Sequence, residues 1–139
     1  MKLEDLQDEL DRDLVIDQTK LQYEAANNPV VYGRWVRKHS ICRKEMLRIE
    51  AMKKQAMKKR LDYYTGRVEP GEEVCMDSYE KSELKTVMAA DETILGTETK
   101  LQYWGILLEF CSDAMDAIKA RGFAIKAVIE LRKFEAGEA

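Results

Sequence analysis

Leu101, Trp104, Leu108, Cys111, Met115, Ile118, Gly122, Ile125 and Ile129 follow one another at alternating steps of three and four residues. Eight of these nine positions are apolar and the mean step is 3.5, the period at which helices wind around one another. The spacing predicts a helix to about Phe134, opened after Gly96 with Thr97 or Thr99 as its cap. Leu107, Phe110, Ala114 and Phe123 widen the stripe beyond what one partner helix covers. A helical chain of 139 residues offers few other surfaces to bury so long a face. Self-association is therefore expected through Leu101, Trp104, Leu108, Cys111, Met115, Ile118, Ile125 and Ile129, with packing inside the monomer as the alternative reading.

The chain as a whole has few helix breakers, with two prolines and seven scattered glycines. Leu3, Leu6, Leu10 and Leu14 mark a first amphipathic helix. The stretch "AANNPV" predicts a turn, because Pro29 disfavours helix at the residue before it. From Val31 to about Tyr64, Val31, Trp35, Cys42, Met46, Ile49 and Ala56 recur at helical spacing. "TGRVEPGEEV" (65–74) reads as a loop, and Asp77 with Glu80 as a capping box opening a helix through about Ala90. The expectation is an all-α chain of long helices forming one domain, 1–139. It comprises N-terminal helices in 1–66, a loop at 67–76, and helices in 77–139 including the heptad-patterned one.

Several function classes drop out. Cys42, Cys75 and Cys111 share no CxxC spacing and read as reduced thiols of a cytosolic protein. "MKLEDLQDEL" is acidic and amphipathic without a signal core, and "YWGILLEFC" is too short to span a bilayer. No glycine-rich phosphate loop occurs, and a lone His39 makes a catalytic triad or a histidine metal site a poor fit. Glu109, Asp113 and Asp116 share a helical stripe, which is ordinarily a solvated face. No enzymatic activity, cofactor or metal is expected.

The net charge of −3 conceals a strong asymmetry. Residues 34–67 carry twelve Lys or Arg against three acids, whereas 1–33 and 68–139 are net acidic. The basic block culminates in "KKQAMKKRLDYY" (53–64), with no acid between Glu50 and Asp62. At roughly 100° per residue, Lys58, Lys59 and Arg60 wrap about 200° of helix. Like charges this dense repel one another unless something negative relieves them, and phosphates would. Tyr63 and Tyr64 lie where exposed bases could stack, which favours single strands over duplex. Tyr64 is expected to pack inward instead, and for Tyr63 stacking and inward packing both stay open. Arg43, Lys44, Lys53 and Lys54 extend the path along the same helix. A rival reading is a helical interaction adaptor whose basic helix docks an acidic partner.

The stretches "LEDLQ", "TKLQYEAANN", "KHS", "KEMLRIEA", "RLDYY", "YEKSE", "LQYWGILL", "AIKARGFAIK" and "FEAG" closely resemble the UvsY family of T4-like bacteriophages over essentially the whole chain. The resemblance implies a non-enzymatic recombination mediator working in the cytoplasm of the bacterial host. Such a protein binds single-stranded DNA without sequence preference, displaces single-strand-binding protein, and helps load and stabilise the phage recombinase filament in recombination, repair and replication. It also implies a homo-oligomer, a hexamer or similar closed ring, assembled through the C-terminal region. The family's Lys-x-Arg motif before Leu-Asp-Tyr-Tyr falls on Lys58 and Arg60.

Overall fold

A first helix, α1 (Leu3–Leu14), turns Leu6 fully inward while Leu3, Leu10 and Leu14 are half-buried, as their spacing predicts. It is followed by α2 (Leu21–Tyr64), α3 (Lys81–Ala89) and α4 (Glu92–Glu135) in this computed structural model, which describes residues 1–137. The last two positions of the expected 77–139 segment lie outside the described residues, among which there is no strand. The fold is all-α. Two compact units divide the chain, one joining Met1–Cys42 to the segment from Ile106 onward, the other spanning Arg43–Gly105.

In the first unit, Trp35, Leu107, Ile118 and Ile125 are completely buried, and Trp35 meets Phe110 edge-on at 6.1 Å. Burial of such side chains, at ~1.5–3 kcal/mol each, is the main force holding the helices together. Cys42 and Cys111 are buried too, and burial pushes both thiols up, Cys111 to about 12. They serve as small apolar packing groups. The acids of α1 meet the front of the basic block: Arg34 binds Asp13 through both Nη groups at 2.9 Å and Glu9 at 2.7 Å, and Lys38 binds Glu9 at 2.9 Å. Trp35 Nε1 donates to the same Asp13 at 2.9 Å.

The expected turn at "AANNPV" is not there: Pro29 lies inside α2. A proline in a helix interior costs about 3 kcal/mol and strains the residue before it. The compensation is tertiary. Buried Asn28 donates from Nδ2 to the Ile118 carbonyl at 3.0 Å and accepts at Oδ1 from Arg121 Nη1 at 2.8 Å. Arg121 also binds Glu24 at 2.5 Å and the Val15 carbonyl at 2.8 Å. This buried network holds the segment helical against its local preference.

In the second unit, Ile49 and Ile94 are buried, and Met46 comes within 3.8 Å of where a Cβ at Gly105 would stand. α2 stops where Gly66 takes φ +77°, with Gly66 N–H donating to Tyr63 O and Arg67 N–H to Asp62 O, the double bond of a Schellman cap. The chain is then irregular to Glu80. The expected capping box does not form: α3 begins at Lys81 without a side-chain cap, and Asp77 accepts from Tyr79 OH instead. Nor does Gly96 break the chain, because α4 already begins at Glu92. Asp91 caps it, its Oδ1 accepting from Thr93 N at 2.9 Å and Ile94 N at 3.1 Å. Thr97, expected as a cap, instead donates to the Ile94 carbonyl within the helix.

Candidate nucleic-acid interface

The C-terminal half of α2 carries the densest charge of the second unit. Arg43, Lys44, Lys54, Lys58 and Lys59 are exposed, while Lys53 is half-buried in an apolar cleft with Met57, Lys85 and Met88. Lys58, its side chain 81% exposed, pairs with Asp62 one turn on at 3.1 Å. An exposed i,i+4 pair of this kind is weak and leaves Lys58 available to a phosphate.

Arg60 is held differently. Its Nε donates to Asp91 Oδ2 at 2.7 Å, and its guanidinium stands 4.3 Å from the Tyr63 ring centroid and 5.2 Å from that of Tyr64. Tyr64 OH donates to the same Asp91 oxygen at 2.7 Å, and its ring meets Tyr63 and Tyr79 edge-on. Tyr64 therefore packs inward. Tyr64 and Asp91 hold the Arg60 guanidinium charged beyond its ordinary range, and the neighbouring carboxylate raises Tyr64 above the usual phenol value. Burial pushes the Asp91 carboxyl up, but the donors Tyr64, Arg60 and Ile94 N–H outweigh it and leave it below the usual range.

The irregular segment after α2 returns along this surface. A cleft of about 330 Å³ has Lys59, Arg60 and Tyr63 on one side and Val68, Glu72 and Glu73 on the other. A neighbouring one of about 410 Å³ is lined by Gln55, Lys58, Lys59 and Asp62 with Arg67, Glu69 and Glu72. Tyr63 is half-buried on the wall of the first. The basic face is thus flanked by its own acids.

The residues expected on the assembly seam fall into two groups. Cys111, Ile118 and Ile125 are completely buried inside the first unit, so they have no surface left for a second copy. Leu108, Met115 and Ile129 are half-buried there, and Leu101 and Trp104 are half-buried in the second unit. Much of the 3.5-residue period therefore records packing within the chain. Toward its C-terminal end α4 leaves another stripe exposed, Ala120, Phe123, Ala127, Leu131 and Phe134, with Phe123 75% and Phe134 69% accessible. Among the described residues no group of three or more His, Cys, Asp or Glu could hold a metal ion, and no helix is long and apolar enough to cross a membrane.

Asp91 is the site residue that sequence reading passed over. It carried a local signal, an Asp followed at once by Glu92 ahead of an apolar run, which is how a helix start reads.

Comparison with known proteins points the same way. A family profile described as "Recombination, repair and ssDNA binding protein UvsY" matches residues 9–138. The recombination protein uvsY of Enterobacteria phage T4 is 64% identical over 138 residues, covering 99% of this chain and all of the T4 protein. Crystal structures of the bacteriophage T4 recombination mediator protein UvsY superpose with a TM-score of 0.87 in one lattice, at 63% identity and 98% coverage of both chains. In a second lattice the TM-score is 0.86, at 60% identity and coverage of 97% of this chain and 99% of the other. With its helices, its basic α2 and a whole-length match in both sequence and structure, the chain belongs to the UvsY family of recombination, repair and single-stranded-DNA-binding proteins.

Proposed function

We propose that the chain is a recombination mediator that binds single-stranded DNA without sequence preference along the last turns of α2. The observation that carries this reading is Arg60, lying against two tyrosine rings beside exposed Lys58 and Lys59. Lys58 and Arg60 are the principal phosphate contacts, and Lys59, Lys53, Lys54, Arg43 and Lys44 extend the track. Of the two tyrosines, Tyr63, half-buried on the cleft wall, is the one that stacks on a base. Nothing here reads base edges, so affinity comes from phosphates and stacking. By loading and stabilising the phage recombinase while displacing single-strand-binding protein, the mediator acts inside the infected cell. The description of the T4 relative as a recombination mediator supports this role.

Self-association is part of the same reading. Several copies in a closed ring present several weak basic faces to one strand, which gives avidity without a tight single site. The exposed stripe from Ala120 to Phe134 is the apolar surface that supports it.

The test is titration of a labelled oligonucleotide over a salt series, with wild type and the Lys58→Ala, Arg60→Ala double variant. The expected result is affinity that falls steeply with salt and is much weaker in the double variant at unchanged helicity. A double variant that binds like wild type overturns the site, and preference for an acidic peptide over the oligonucleotide favours the adaptor reading.

A further inference from the structure

Arg60 makes its one carboxylate contact edge-on. Nε is taken by Asp91 Oδ2, and among the described residues no carboxylate accepts a hydrogen bond from either Nη group. The guanidinium also lies against the Tyr63 and Tyr64 rings, and the Arg60 side chain remains 28% exposed on the wall of the cleft. Asp91 itself is a fixed anchor. Its side chain is 3% exposed, Oδ1 receives two backbone N–H groups of the α4 start, and Oδ2 receives Tyr64 OH together with Arg60. Resting on the reading of residues 53–64 as a single-stranded-DNA site, we propose that Asp91 is a positioning residue for phosphate recognition. It clamps the Nε edge of Arg60 and leaves the Nη edge to grip a phosphate.

The physical case is one of preorganisation. An arginine free on a helix surface must give up its rotamer freedom when it binds, whereas this one has already given it up to Asp91 and the two rings. A guanidinium has five donors in a rigid fork, so a bond through Nε leaves four on the Nη groups for a bidentate phosphate contact. An ammonium at position 60 could satisfy Asp91 or a phosphate, but it lacks the flat second edge that serves both.

The proposal sets a sign against plain electrostatics. Asp91 is a negative charge beside a phosphate site, so its neutralisation by charge alone would tighten DNA binding. If Asp91 orients Arg60, the same neutralisation weakens it. Asp91→Asn is suited to the question. Asparagine caps helices as well as aspartate, so its oxygen can keep the Thr93 and Ile94 amides. Its NH2 then faces Arg60 Nε, donor against donor, and the clamp is lost.

The experiment is anisotropy titration of a labelled oligothymidine over a salt series with wild type, D91N, R60A, the D91N/R60A double variant and R60K, with helicity and melting recorded for each. D91N is expected to bind about tenfold more weakly, the effect of removing one charge-assisted hydrogen bond. Its salt slope should be shallower by ~0.7, the change for one fewer phosphate neutralised on a single strand, a readout that a merely structural role does not move. In the R60A background D91N should weaken binding no further, and only the charge effect, a slight tightening, should remain. D91N that binds as tightly as wild type, or tighter, while R60A binds weakly overturns the positioning role and leaves the site intact. R60A that binds like wild type overturns the site and the positioning role together. Should D91N fail to fold, R60K decides: binding as weak as R60A supports the clamp, and binding like wild type overturns it.

Discussion

A Cβ at position 122 would stand 2.8 Å from the side-chain nitrogen of Asn28. That nitrogen cannot swing aside cheaply, because it donates to the Ile118 carbonyl while the amide oxygen holds Arg121. Alanine gains about 1 kcal/mol over glycine in a helix, but overpacking a fixed neighbour costs ~1–3 kcal/mol. Gly122→Ala should therefore destabilise, by about 1 kcal/mol net, and lower the melting temperature. An unchanged or higher midpoint would show that Asn28 is free to move.

Arg121 carries the largest expected stability effect. Its side chain is 5% exposed and its ion-pair partner Glu24 11%. Removal of one partner of a buried pair leaves an uncompensated charge, at roughly 3–5 kcal/mol. Arg121→Ala should lower the unfolding free energy measured by urea denaturation by an amount near that range, and Glu24, Asn28 and the Val15 carbonyl would all lose a donor.

Acid should weaken the second unit through Asp91. Its carboxyl titrates below the usual value in the folded chain. The resulting stability is present in full above about pH 4, the ordinary carboxylate range, and is lost as pH falls through the lowered folded value. The stability gap between wild type and Asp91→Asn should stay constant above ~pH 5 and narrow below ~pH 4. A gap that widens in acid would contradict the donors assigned to Asp91.

Glu72 and Glu73 share a cleft with Lys59 and Arg60. Carboxylates there oppose an incoming phosphate, so replacing both with glutamine should tighten single-stranded-DNA binding severalfold at low salt. The gain should fade as salt approaches ~1 M, where screening is nearly complete. Titration at two ionic strengths reads both effects, and weaker binding by the variant would place the strand elsewhere.

Deletion of residues 101–139 is a poor test of assembly, since it strips Leu107, Cys111, Ile118 and Ile125 from the core. Phe123, 75% exposed, is the better probe. Phe123→Asp should leave helicity unchanged, because the exposed ring belongs to no core within the chain. It should also reduce the sedimentation coefficient. A variant that still sediments as the full assembly would move the interface off this stripe.

What could be read along the chain was whatever depends on near neighbours. The α1 leucines, the basic run in α2 and the loop at 65–74 are local patterns, and they hold. Pro29 could not be judged locally, because the partners that keep Asn28 helical lie 90 and 93 residues away. Arg60 counted as one more cation, since Asp91 is 31 residues distant and only folding brings them together. Arg34 and Lys38 likewise belong to the basic block by sequence position, although Glu9 and Asp13 pair with them. The α4 period was real but ambiguous, because packing within a chain and between chains repeat at nearly the same step.

The two backbone amides that end on Asp91 Oδ1, those of Thr93 and Ile94, carry a consequence for observation. Their protection from deuterium depends on one carboxylate more than on the rest of the 44-residue helix they open. Any event that disturbs Asp91 should quicken exchange at these two positions before it reaches the interior of α4. The start of the helix is thus a built-in gauge, legible amide by amide, of the state of a side chain that also holds Arg60.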